Sequence, residues 1–316
     1  MKTKDKSFVL SFLQSIRGTI LAAAFLLLTS STPAQNLFVS DWSSEHIFEY
    51  TPGGAKSTFA SGLAAPEGVA FNNAGNLFEA DEVTGTINRF TPTGGRTTFA
   101  SGLHSPGPLA FDQAGNLFEG DLASGNIYKF SPGGVRSTFA SGLNNPYGLA
   151  FDSAGNLLES DLGSGNIYKF TPGGARSTFA SGLLNPFGLA FDSSGDLFVG
   201  NTANGTTGQG TIVEITPGGV QSLFASGLNN PQQLAFNNTG NLFEADFFTG
   251  TIYEFTPGGV RSTFASGLNY PSGLAFQGIT LPVPEPASLA FAGLGGLVAL
   301  VLDLRSKARS AKLAGR

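Results

Sequence analysis

The feature that most constrains this chain is a repeat. Asn36, Asn76, Asn116, Asn156, Asp196 and Asn241 each open the same unit, 40 residues apart except for one interval of 45. The unit from Asn116 to Gly155 reads "NLFEGDLASGNIYKFSPGGVRSTFASGLNNPYGLAFDSAG". Its runs "NLFEGD", "NIYKF", "RSTFAS" and "GLAF" are rich in aromatic and β-branched residues and bounded by Gly, Pro, Asn and Asp clusters, so each is expected to be a strand. No part of the unit has helical periodicity. A unit of about 40 residues that cannot bury its own faces must stack on copies of itself.

Four strands per unit of that length point to the blade of a β-propeller. A β-solenoid would use shorter coils. Apolar residues lie on both alternation faces, as at Leu117 and Phe118, which suits a sheet sandwiched between two others. There are six "NLF"-type strands and six "LAF"-type strands, the last at Gly273–Phe276. That last strand has no later partners in sequence, so it is expected to pair with the strand opening at Asn36. The fold expected is all-β: a six-bladed β-propeller, four strands per blade, closed by N- and C-terminal strands in one blade.

The residues resemble NHL-repeat propellers and, more loosely, gluconolactonase-type six-bladed propellers. "NPYGLAFDSAGNLLESDLGSGNIYKFTPGG", Asn145 to Gly174, carries their Pro-x-Gly, Gly-Asn and terminal Asp pattern in order. The resemblance spans residues 36 to 276 and implies the fold rather than a function. One position departs from it: Glu79, Glu119, Glu159 and Glu244 stand where an apolar residue is usual, while two units keep Val39 and Val199. The units with Glu also carry Arg96, Arg136, Arg176 or Arg261 in their outermost strand. The expectation is a structural ion pair within each of those blades, in preference to an acidic ligand ring.

Two kinds of loop alternate. "DSAGN" and "TPGG" barely change between units and form one rim. "SGLNNPYG" and "DLASGN" form the other, where the units differ. Candidate ligand-binding residues on that variable rim are Trp42, His46, Glu67, His104, Tyr147, Phe187, Gln232, Phe247, Phe248 and Tyr270. The recurrent Asp41, Asp81, Asp121, Asp161 and Asp246 are read as caps on the turns that follow them. The two His, His46 and His104, stand at non-equivalent positions and outside any metal-ligand spacing. A net charge of −5 offers no basic surface for nucleic acid. With Cys absent there is neither a disulfide framework nor thiol chemistry. The function expected on these grounds is a non-catalytic binding or scaffold module without a cofactor. The alternative is a secreted lactonase-like, metal-dependent hydrolase: the gluconolactonase resemblance sets Glu67, in "PEGVAF", near that family's first metal-ligating Glu, with no clear second or third ligand.

Both ends of the chain read as addresses. Lys2, Lys4, Lys6 and Arg17 precede the apolar run "GTILAAAFLLL", and "TPA" offers a cleavage site, so residues 1–34 are expected to be a signal peptide. The propeller is assigned to 35–278, a linker to 279–283, and a sorting segment to 284–316. That segment has Pro284, Glu285 and Pro286, an apolar helix 287–302 and a basic tail, and resembles the PEP-CTERM sorting signal. The resemblance implies a Gram-negative bacterium, an exosortase-type enzyme as partner, tethering to the inner membrane, and final placement in the envelope or extracellular matrix. Polysaccharide or an envelope protein is the ligand class that goes with that location. The innermost strand runs toward the conserved rim, so a short linker would turn that rim to the membrane and the variable rim outward.

Overall fold

A computed structural model describes residues 34–202 and 208–278. They form six four-stranded antiparallel sheets. Blade 4 is representative: Pro146–Phe151 is innermost, followed outward by Leu157–Asp161, Asn166–Phe170 and Arg176–Ala180. Blades 2, 3, 5 and 6 repeat that order, with innermost strands Pro66–Phe71, Pro106–Phe111, Pro186–Phe191 and Pro231–Phe236. Blade 1 takes its innermost strand, Pro271–Phe276, from the far end of the propeller sequence and pairs it with Leu37–Asp41. Phe276 stands opposite Leu37, and the next backbone N–H, that of Gln277, donates to Asn36 O. The ring therefore closes as expected, and the chain leaves it at the conserved rim.

The second strand of each blade is buried along its whole length, because both of its faces meet another blade. Alternation decides which residue meets which neighbour. Phe78 and Ala80 pack with Leu109 and Leu117 of blade 3, whereas Leu77 packs with Phe38 and Leu63 on the blade 1 side. Aromatic rings stitch the seams in a repeating edge-on geometry. Phe118 meets Phe139 of its own blade and Phe151 of the next, both at 5.0 Å. The outermost strands are exposed and polar, which keeps the blade edges from pairing with other chains.

The recurrent aspartates fasten the variable rim. Asp161 Oδ1 accepts from Ser164 N–H at 3.0 Å, and its Oδ2 accepts from Asn144 N–H at 2.7 Å. Asp81, Asp121 and Asp246 make the same two bonds, to Thr84 and Ala64, Ser124 and His104, and Thr249 and Asn229. One carboxylate thus ties its own turn to the loop that enters its own blade. Hydrogen bonds to a charged group contribute about 1.5–3 kcal/mol each, so the rim is rigid at the places where its side chains differ.

The ion pairs expected within the blades are absent. Among the described residues, no oxygen of Glu79, Glu119, Glu159 or Glu244 lies within salt-bridge distance of Arg96, Arg136, Arg176 or Arg261. Register is the reason. Glu119 stands opposite Tyr128, which stands opposite Thr138, two residues beyond Arg136. The guanidinium instead stacks on Tyr128 at 5.1 Å and donates to Gly102 O at 3.1 Å. Arg96 and Arg261 reach the preceding loop in the same way. Among the described residues, the Lys side chains that pair are Lys129 with Asp112 and Lys169 with Asp152, both at the conserved rim.

The expected signal peptide lies outside the described residues except for its last position, Ala34. Pro284, Glu285, Pro286, the helix 287–302 and the basic tail lie wholly outside them.

Candidate functional site

The innermost strands start one turn earlier than their "LAF" core suggests, at Pro66, Pro106, Pro146, Pro186, Pro231 and Pro271. Between each Pro and the regular ladder the register slips. Pro146 pairs with Asp161, and the next pair is Gly148 with Ser160, leaving Tyr147 unpaired in a bulge. The same irregularity lies between Pro66 and Val69, between Pro186 and Leu189, and between Pro231 and Leu234. A bulge re-aims its side chain away from the sheet. Here it turns Glu67, Tyr147, Phe187 and Gln232 toward the axis of the ring.

The strands crowd at this level. A Cβ at Gly148 would overlap the Phe187 carbonyl oxygen, and one at Gly68 would overlap the Gly107 carbonyl. Only glycine fits there, so the blades close to a narrow mouth and the three larger polar side chains meet across it. Tyr147 Oη of blade 4 is in hydrogen-bond contact with Glu67 Oε1 of blade 2 and lies 2.9 Å from Gln232 Oε1 of blade 6. The Phe187 ring lies 4.2 Å from the Tyr147 ring. Ser272 Oγ donates to Pro66 O at 2.8 Å, and Ser40 Oγ to Glu67 O, so the backbone beneath Glu67 is held from blade 1.

The electrostatics follow from this packing. Glu67 is 5% exposed. Burial pushes its carboxyl up to about 7, the Tyr147 hydroxyl counteracts part of that, and the charge of Glu82 adds to it. Burial and the facing Glu67 carboxyl hold the Tyr147 phenol well above its ordinary value. Tyr147 has one hydroxyl hydrogen and two oxygen neighbours, so one neighbour must donate. When Glu67 is protonated it donates to Tyr147 Oη and Tyr147 donates to Gln232 Oε1. When Glu67 is ionised, Tyr147 donates to it, and the Gln232 amide turns about to donate in its place. The three side chains form one hydrogen-bond chain in which Glu67 is the group pushed up to about 7.

The other candidates separate from it. The His104 side chain is 71% exposed; its backbone N–H donates to Asp121 Oδ2 at 2.8 Å, and its ring Nδ1 lies 4.0 Å from the same oxygen. His46 stacks on Phe48 at 5.5 Å and contacts Ser44 O. Phe247, Phe248 and Tyr270 form their own cluster on blade 6 and its junction with blade 1. Trp42 Nε1 donates to Glu82 Oε2 at 3.1 Å, and Ser105 Oγ to Glu82 Oε1 at 3.0 Å. Glu82 is a residue that sequence reasoning missed. Its equivalents are Trp42, Leu122, Leu162, Thr202 and Phe247, so a lone acid at that position was the available signal.

A divalent metal, which the gluconolactonase resemblance implies, does not fit this mouth. Among the described residues no three His, Cys, Asp or Glu side chains converge. The groups around Glu67 are a phenol and an amide, and both Glu82 oxygens accept other hydrogen bonds.

No protein-family model and no curated protein matches the sequence. Solved structures do, and those similar in shape are six-bladed β-propellers. The propeller in a nidogen–laminin complex superposes with a TM-score of 0.69 at 21% identity, covering 77% of this chain and 98% of that one. A gluconolactonase from Xanthomonas campestris gives 0.60 at 21% identity over 67% of this chain and 79% of its own. A streptogramin B lyase gives 0.55 at 17% identity over 74% and 75%. At these identities the likeness establishes the fold. It also corrects the expectation of a non-catalytic module, because two of these three structures are of enzymes.

Proposed function

We propose that the propeller is an exported hydrolase that opens small cyclic esters at the mouth of its channel. The observation that carries this reading is the contact between the buried Glu67 carboxyl and the Tyr147 hydroxyl, from blades 2 and 4. A general base works best when its pKa lies near the working pH, and Glu67 is held there. Glu67 takes a proton from the attacking water as the new C–O bond forms, then returns it to the alkoxide as the ring C–O bond breaks. Tyr147 stays protonated; as Glu67 takes up the proton it no longer accepts from Tyr147, whose hydroxyl then donates to the oxygen on which charge develops. The gluconolactonase among the similar structures supports the choice of a cyclic ester.

The test is hydrolysis of a panel of γ- and δ-lactones by the purified protein, with and without a chelator. Turnover that survives chelation and disappears in Glu67→Gln is the expected result. Turnover abolished by the chelator would replace this scheme with metal chemistry.

Export and sorting belong to the same reading. The basic-then-apolar N-terminus and the "PEP", apolar, basic order at the C-terminus support passage across the inner membrane. There an exosortase-type enzyme would act on the tail, with the envelope or matrix as destination and its polysaccharide or proteins as surroundings. Intact-mass measurement of the protein from membrane and medium fractions tests both cleavages.

A further inference from the structure

We propose that Ser40 and Ser272 are positioning residues that hold the Glu67 bulge in place for catalysis; this rests on the hydrolase reading above. The bulge itself creates the need. Pro66 stands opposite Asp81, and the regular ladder resumes only at Val69, so the backbone carrying Glu67 has no regular strand partner. Blade 1 supplies the grip instead. Ser40 Oγ donates to Glu67 O, and Ser272 Oγ donates to Pro66 O at 2.8 Å. Both serines are buried. Ser40 Oγ in turn accepts from Gly273 N–H at 2.7 Å, which sets its own direction. A Cβ at residue 273 would overlap both Glu67 O and Ser40 Oγ, so glycine there keeps the three groups in contact.

The repeat shows that the fold does not demand these hydroxyls. The position of Ser40 is held by Ala80, Gly120, Gly200 and Ala245 in four other blades, and those blades keep the same four strands in the same order. The remaining equivalent, Ser160, donates to Phe187 O, beneath the ring that packs on Tyr147. Hydroxyls at this position therefore lie under Glu67 and Phe187, two of the three mouth side chains that meet Tyr147. Ser272 is the equivalent of Glu67, Gly107, Tyr147, Phe187 and Gln232. It is the mouth position whose side chain grips a neighbour's backbone.

Ser40 lies on the first strand of the propeller and Ser272 on the last, so Glu67 is fully seated only in the closed ring. Its titration reports that seating. The titratable groups that bear on Glu67 are Tyr147 from blade 4 and Glu82 from its own blade. Asp81, opposite Pro66, is taken up by the Ala64 and Thr84 N–H groups, and Asp41, beside Ser40, by the Asn269 N–H. Gln232 and the two serines carry no charge. A Glu67 that drifts from Tyr147 loses the contact that holds its carboxyl down, and its midpoint rises.

The test uses full-length protein isotope-labelled at its glutamate carboxyls for NMR titration, the Glu67 signal being the one missing from Glu67→Gln. Ser40→Ala copies Ala80 and Ala245, and Ser272→Gly copies Gly107, so both variants should fold, with Tm as the check. Each should move the Glu67 midpoint upward by about 0.5 or more. Each should lower kcat on γ-butyrolactone about tenfold with KM little changed. In a Tyr147→Phe background neither should move the midpoint further, because the contact being lost is already gone. An unmoved midpoint in a folded variant, or an equal movement in the Tyr147→Phe background, would overturn the positioning role. Midpoints that move as expected in a protein that hydrolyses no lactone would overturn the hydrolase reading and leave the hold on Glu67 standing.

Discussion

Two sets of buried carboxyls divide this molecule. Glu67 lies at the channel mouth, and Glu79, Glu119, Glu159 and Glu244 lie in the seams between blades. Burial raises both sets, so a raised carboxyl does not by itself mark a catalytic group. What differs is the company. Glu67 faces a phenol and an amide across the ring axis, and its proton can be shared with the Tyr147 hydroxyl oxygen in a hydrogen bond. The seam carboxyls face packed hydrocarbon. Asn88 Nδ2 donates to Glu79 at 2.9 Å, and the Gly107 backbone lies near Glu119. The oxygens of Glu159 and Glu244 have no hydrogen-bond partner. Their Arg residues act on them only from a distance. The mouth carboxyl has the polar partners that the proposed reaction uses, and the seam carboxyls are a cost in stability.

The largest effect that separates the sets is on turnover. Glu67→Gln should lower kcat on a small lactone by about 10²–10⁴-fold, the usual weight of a general base, while Glu159→Gln leaves kcat unchanged. A seam variant that abolished activity would break the distinction.

The next effect is on stability. A seam glutamate ionises near 4.5 in the unfolded chain, and Glu79 near 8 in the folded one. Between those values only the unfolded state releases its proton, so stability is full below about pH 4.5, falls as pH rises to 8, and levels off beyond. For Glu79 the loss amounts to roughly 5 kcal/mol. Val39 and Val199 are the natural substitutes at this position. Replacing Glu119, Glu159 and Glu244 together by Val should raise Tm at pH 8 and flatten its pH dependence, as read by calorimetry at pH 5 and pH 8. A Tm that rises with pH in the wild type would contradict the assignment.

A smaller effect sharpens the role of Tyr147. Its hydroxyl holds the Glu67 carboxyl below where burial alone would put it. Tyr147→Phe should therefore move the acid limb of the kcat/KM profile, which rises through about pH 7 in the wild type, to higher pH. It should also lower the plateau roughly 10-fold, about the worth of one hydrogen bond to a charged group. A Tyr that merely filled space would leave the inflection in place. Smallest is Arg136→Ala, which loses the Gly102 bond and the Tyr128 stack. It should cost about 1 kcal/mol or less and barely alter the pH dependence of Tm, whereas losing an Arg136–Glu119 ion pair would make that dependence much steeper.

Much of the architecture was legible in the chain. Strand-forming runs, turn residues and their recurrence are local properties, so six blades, closure by both ends of the repeat array and the turn-capping role of the aspartates could be read without coordinates. The tight-turn rim and the individual rim were separable for the same reason: they recur, or fail to recur, at fixed places in each unit. Tertiary structure decided which individual residues meet. Tyr147 is 80 residues from Glu67 and 85 from Gln232. Their meeting depends on the bulges that turn them inward and on how closely glycine lets the inner strands approach. Glu119 and Arg136 share a blade and look like partners in sequence, yet a register offset of two residues sends the Arg to a backbone carbonyl. Linear spacing specifies a blade; the radius of the ring and the register of its strands specify the site.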